Sequence, residues 1–114
     1  MPYIKTITNL VLSDEKKDTL KSKLGQAIAL IPGKSEAWLM LSFEDGAYMS
    51  FKGNSGDSFA FADISLFGSA SDAAYDRLTA AVCEIYREEL GVSPSNVYVK
   101  YEETDHWGWN GSNF

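Results

Sequence analysis

Residues 2–34 read PYIKTITNLVLSDEKKDTLKSKLGQAIALIPGK, and the architecture turns on how this stretch is parsed. PYIKTITN at 2–9 is strand-like, because Tyr3, Ile4, Thr6, Ile7 and Thr8 are aromatic or β-branched. Ser13 or Asp14 can then cap a helix that has Glu15 in its first turn. Leu20, Leu24, Ala27, Ile28 and Ile31 recur at helical spacing, so that helix has one apolar face. Pro32 and Gly33 stop it. AWLMLSF at 37–43 is a short apolar strand, EDG turns, and AYMSF at 47–51 reads as the return of a hairpin.

The second half repeats this order. SFAFADISLF at 58–67 is a strand, and a helix runs from Asp72 to about Leu90 with Leu78, Ala81, Val82 and Ile85 as its buried stripe. Gly91 and a Ser-Pro turn end it, and VYVKYEE at 97–103 alternates as the last full strand. The chain therefore reads as a doubled β-α-β unit. Two helices on one face of a four-stranded sheet, with short extra strands, make an α+β sandwich. The chain has no third layer for the opposite sheet face, and the strands are apolar on both parities. A bare apolar face exceeds what a monomer tolerates, which predicts assembly through the sheet.

Composition bounds the rest. A chain of 114 residues suits one domain, 1–114, with one core. The net charge of −6 argues against nucleic-acid binding, which needs clustered Lys and Arg. Cys83 is the single cysteine and His106 the single histidine. That excludes an internal disulfide and any cysteine- or histidine-rich metal cluster. No cofactor motif is present. No run approaches the roughly 20 apolar residues of a membrane span, and the start has no apolar signal region. A cytoplasmic protein is expected, with export without a signal peptide as the alternative.

Pro2 directly follows Met1 and heads the first strand. Proline is permitted at a strand's first residue because it lacks only a ladder donor. It is also small enough for the preceding methionine to be trimmed. Its ring nitrogen would then be a free secondary amine, in a class that titrates around 7.7–8.0 before the protein perturbs it. The tail HWGWNGSNF has neither helical nor strand period; Trp107, Trp109 and Phe114 suit core packing or an apolar wall for a small aromatic ligand.

Four pieces in order carry a resemblance: Pro2 at the first strand, Lys34 after Gly33, VSPSNVYVKY opening the last strand, and the ending WGWNGSNF. The whole chain resembles the macrophage migration inhibitory factor family of the tautomerase superfamily, which includes D-dopachrome tautomerase. The resemblance implies a homotrimer whose sheets wrap an inner channel, with a site at each subunit interface. It implies keto–enol tautomerisation of aromatic 2-oxo acids such as phenylpyruvate, with the N-terminal proline as base and no cofactor. Carried over by position, Pro2 matches the catalytic proline and Lys34 the lysine for the substrate carboxylate. Ser65 and Leu66 fall where a Ser-Ile pair lines the pocket, with Ile64 in place of a histidine. Tyr98 matches a pocket tyrosine contributed by a neighbouring subunit, and Trp38 stands at a rim tyrosine. Trp109 and Phe114 match an aromatic wall, read as a sandwich around the substrate ring. Lys100 replaces an asparagine and would add a second cation; Trp107 replaces a valine and would narrow the pocket. The family's Cys-x-x-Cys falls at Ser58 and Phe61, which removes its thiol chemistry. A desolvated prolyl amine beside Lys34 would have its pKa lowered towards neutrality, where a general base works best. Taken singly, each of these residues has a plainer role: a helix-end cation for Lys34, a strand filler for Tyr98. A cytokine-like interaction protein that retains the pocket, with an unidentified host receptor, is the second reading.

Overall fold

The computed structural model describes residues 1–114. Strand β1 (Pro2–Thr8) leads into helix α1 (Asp14–Ala27) and β2 (Met40–Glu44); β3 (Ala60–Phe67) leads into α2 (Asp72–Leu90) and β4 (Val97–Thr104). Each β-α-β unit contributes two parallel strands, as a helical crossover requires. Antiparallel pairing of β1 with β3 joins the units into one sheet of order β2-β1-β3-β4. Ser13 caps α1 by accepting from the Lys16 N–H, and Ser71 caps α2 by accepting from the Ala74 N–H. Gly91 ends α2 in the left-handed conformation that glycine adopts most easily.

Strand alternation puts Ile4, Thr6 and Thr8 of β1 and Ala60, Ala62, Ile64 and Leu66 of β3 under the helices, all buried. They meet Leu20, Leu24, Leu78 and Val82 in one core. Burial of each such Leu or Ile contributes about 1.5–3 kcal/mol. Thr6 and Thr8 are the polar exceptions: Thr8 donates its hydroxyl to the Phe59 carbonyl at 2.8 Å, and Thr6 reaches α2. The Thr6 hydroxyl shares a buried hydrogen bond of 2.7 Å with the Tyr86 hydroxyl.

Three expectations change. Residues 36–38 form a 3-10 turn, so β2 begins only at Met40. Residues 47–50 do not return as a hairpin strand and have no ladder within the chain. Instead Phe51 and Asn54 close a tight turn through reciprocal backbone bonds of 2.8 and 3.0 Å. The tail is also more ordered than its lack of period suggested. Strands β5 (Gly108–Trp109) and β6 (Ser112–Asn113) pair across Asn110-Gly111, both at positive φ, as a type I′ hairpin demands.

The helix-free face is not the apolar surface expected. Lys5, Asp63 and Lys100 sit side by side on β1, β3 and β4. Lys5 pairs with Glu44 at 2.8 Å, and Lys100 with Glu102 at 2.9 Å and Asp63 at 3.4 Å. A row of alternating charge thus crosses the middle of the sheet, and apolar groups are confined to its two ends. Apolar residues fall on both parities along the strands, but the charged ones fall together.

Tyr86→Phe deletes the partner of a buried hydroxyl. Unfolding in urea should show a lower midpoint at unchanged slope, a loss of about 1–3 kcal/mol.

Candidate active site

Pro2 opens β1 opposite Leu66, at the end of the sheet where β3 stops. The Phe67 N–H donates to the Met1 carbonyl at 3.0 Å. Lys34, brought back by the turn after α1, donates from Nζ to the Phe67 carbonyl at 2.7 Å. The chain's amino group lies beside that ammonium. Its pKa is lowered, first by desolvation and then by the positive charge of Lys34 and a hydrogen bond to it.

A row of rings leads away from this point. Phe67 lies 5.7 Å from Phe114, and Phe114 lies 6.3 Å from Trp109 with planes 5° apart. Trp38 meets Trp109 edge-on at 5.0 Å. Trp38, Trp109 and Phe114 are each about half exposed. The hairpin carrying the last two is closed by its own strand pairing and by the Phe114 N–H donating to the Trp107 carbonyl at 3.0 Å. Trp107 contributes that backbone contact and no ring pairing.

Of the residues singled out in the sequence, Pro2, Lys34, Trp38, Trp109 and Phe114 come together. Two assignments change. Leu66 is fully buried in the core, so its side chain cannot line a pocket; Ser65 is opposite Tyr3 on the helix-free face. Phe67, which the sequence reading missed, takes the place instead. Its ring joins the wall, its carbonyl holds Lys34 and its N–H points at residue 1. The period of two carried that signal, since Ile64 and Leu66 in the core force Ser65 and Phe67 to the other face. Nor do Trp109 and Phe114 sandwich a ring. An inserted ring needs about 7 Å between planes, twice the contact distance, and their centroids are 6.3 Å apart. They lie parallel to each other, too close for a third ring between them.

Tyr98 and Lys100 lie elsewhere. Tyr98 faces Phe61, five residues along β3 from Leu66, so about 16 Å separates it from Pro2 within the chain. Lys100 shares its face without a bulge, but two carboxylates engage its ammonium. The hydrogen bond to Glu102 is the main cause of its raised pKa. It is not a free cation for a ligand. Cys83 is half-buried in α2, with its thiol pKa pushed up by desolvation. His106 is exposed beside Thr104. No group of three or more His, Cys, Asp or Glu side chains is placed to hold a metal ion. No helix is long and apolar enough to cross a membrane.

Comparison with known proteins shows the family and the fold. The family model for macrophage migration inhibitory factor matches residues 1–114. Rat macrophage migration inhibitory factor is 28% identical over 116 aligned residues, covering all of this chain and 99% of the relative. The crystal structure of Leishmania major MIF2 superposes with a TM-score of 0.93 at 30% identity, covering all of this chain and 97% of that one. The Toxoplasma gondii macrophage migration inhibitory factor gives 0.91 at 20% identity, over 98% and 99% of the two chains.

The division between Leu66 and Phe67 can be measured. Leu66→Ala should lower stability by about 2–5 kcal/mol, as large-to-small core changes do. Phe67→Ala should cost far less in the same urea melt, because its ring lies outside the core.

Proposed function

Because the chain belongs to the macrophage migration inhibitory factor family, we propose that it is a keto–enol tautomerase of aromatic 2-oxo acids, with Pro2 as general base. One observation carries this reading: the start of β1 lies against Lys34, where burial and that cation depress the pKa of the Met1 amino group. With Met1 removed, the Pro2 nitrogen would be the chain's amine, one residue further along the same start of β1 and held rigid by its ring. Its lone pair takes a proton from the carbon next to the substrate carbonyl. The C–H electron pair becomes the C=C bond of the enol and the C=O π pair moves onto oxygen; that oxygen takes a proton from water, and the protonated Pro2 amine returns its own proton to water, which restores the free base. Lys34 has donors left after bonding Phe67 and would bind the substrate carboxylate. Loss of Met1 would also free the Phe67 N–H for an anionic oxygen. The substrate ring would lie on the open face of the Trp38–Trp109–Phe114 wall.

The reading includes a homotrimer. Tyr98 is too far from Pro2 to serve its own chain, so a neighbour's Tyr98 would supply the hydrogen bond to the developing enolate oxygen. Segment 48–50, which makes no backbone hydrogen bond within the chain, and the exposed edge strand β2, with Met40 and Tyr48 well exposed, offer the surfaces for such pairing.

Retained Met1 would block the site in two ways. It turns the Pro2 nitrogen into a non-basic amide, and its carbonyl occupies the Phe67 N–H. Intact mass should show active protein without methionine. A Met1-retaining preparation should be at least about a hundredfold less active on phenylpyruvate; equal activity would remove Pro2 as base.

Lys34→Ala should cost about ten- to hundredfold in kcat/KM on phenylpyruvate, the worth of a charge-assisted contact of roughly 1.5–3 kcal/mol. The loss should be much smaller on the methyl ester, which has no carboxylate to pair. The same variant tests the base. A cation lowers an amine's pKa, and the free amine is the active form, so removing Lys34 should move the acid limb of the pH–rate profile to higher pH.

A further inference from the structure

Four of the six tyrosines have hydroxyls bonded within the chain: Tyr3 to Ser42, Tyr75 to Glu103, Tyr86 to Thr6 and Tyr101 to Thr79. Tyr48 and Tyr98 have none, and Tyr48 is 89% exposed with no ring pairing. Tyr98 differs, because its ring is held while its hydroxyl is free. The Phe51 ring meets it at 5.0 Å and 76°, and the Phe61 ring at 6.5 Å and 80°. Both are T-shaped contacts of the kind aromatic quadrupoles favour.

Phe61 is fixed by the β3 ladder, and Phe51 by the tight turn that it opens. The two corners, Lys52 and Gly53, have φ of 54° and 76°, a type I′ geometry. A lysine at a left-handed corner is uncommon. Here its Nζ lies 5.3 Å from the Phe51 ring centroid, within cation–π range, and Phe59 meets that ring edge-on at 6.1 Å. Behind Tyr98 these side chains leave an apolar hollow of about 120 Å³, lined by Met49, Phe51, Phe59, Phe61 and Val97. Without the Phe51 edge, the Tyr98 ring has space to tilt into.

We propose that Phe51 is a positioning residue for Tyr98: the turn 51–54 sets the Phe51 ring, and that ring aims an otherwise unbonded hydroxyl. This rests on the reading that Tyr98 of one copy completes the site of the next. A donor aimed at developing charge acts only when its geometry is fixed beforehand, and small misplacements are costly. Phe51 itself touches no substrate in this scheme.

The test is a double-mutant cycle on phenylpyruvate tautomerisation, with assembly checked by sedimentation. Tyr98→Phe should lower kcat by about tenfold or more. Phe51→Ala should lower kcat about three- to tenfold while KM moves less than about twofold. In the Tyr98→Phe background, Phe51→Ala should then cost nothing further, because there is no hydroxyl left to aim. Phe51→Leu, which keeps apolar bulk without an aromatic edge, carries the same test if Phe51→Ala disturbs assembly. Wild-type kcat in the Phe51 variants, or a loss that simply multiplies with that of Tyr98→Phe, overturns the positioning role. An inactive wild type, or a Tyr98→Phe variant at the wild-type rate, instead overturns the underlying reading of the site, and this role with it.

Discussion

The antiparallel ladder between β1 and β3, from Pro2 opposite Leu66 to Thr8 opposite Ala60, joins two β-α-β units that would otherwise be separate half-sheets. Its register decides which side chains face the helices. A slip of one residue would set Ile4 opposite Asp63 or Ser65, so that either β1 turned its apolar residues to solvent or β3 turned its polar ones into the core. The buried bond between Thr6 and Tyr86 reinforces that choice, since turning β1 over would take Thr6 to the far face and leave the buried Tyr86 hydroxyl without its partner. The same ladder places Phe67 across from the start of the chain and so creates the meeting point of backbone N–H, carbonyl and Lys34.

The other face follows from the same constraint. Lys5, Asp63 and Lys100 fall in line because three strands are in register, and Glu44 and Glu102, each two residues along its strand from that line, pair with Lys5 and Lys100. Partly exposed ion pairs of this kind add little stability. Their effect is on where contacts form. A charged band across the sheet discourages face-to-face stacking, because burying it would strip water from every member. Apolar contacts are left to the ends, at Tyr98 with Phe51 and Phe61, and at Phe67 with Phe114.

Much of this was legible in the sequence. The cap at Ser13 or Asp14, the stop at Gly91 and the helical stripes through Leu20–Leu24 and Leu78–Val82 are local signals, and each appears where its residues point, with Ser13 making the cap. Pro2, Lys34 and the tail aromatics were recognisable as an ordered set. What failed depended on contacts between distant segments. Nothing local says that Lys100 meets Asp63, so it read as a spare cation. The spacing of Trp109 and Phe114 depends on how the hairpin folds back, so the supposed sandwich could not be checked. Leu66 was chosen by position, although strand alternation already favoured Phe67. The Asn110-Gly111 pair was a hairpin signal in plain view, hidden by the absence of alternation around it.

The aromatic wall is carried on a hairpin that bonds mainly to itself and meets the rest of the chain through rings. Trp38 and Phe67 hold it from the body, and neither belongs to the core cluster. The part of the molecule that would touch a ligand is therefore nearly uncoupled from the part that keeps it folded. In evolutionary terms, the loop at Asp105 and His106 can lengthen or shorten, and the rings can be exchanged, with small effect on the stability margin. A lineage with this architecture can change what it recognises without first having to survive a less stable fold.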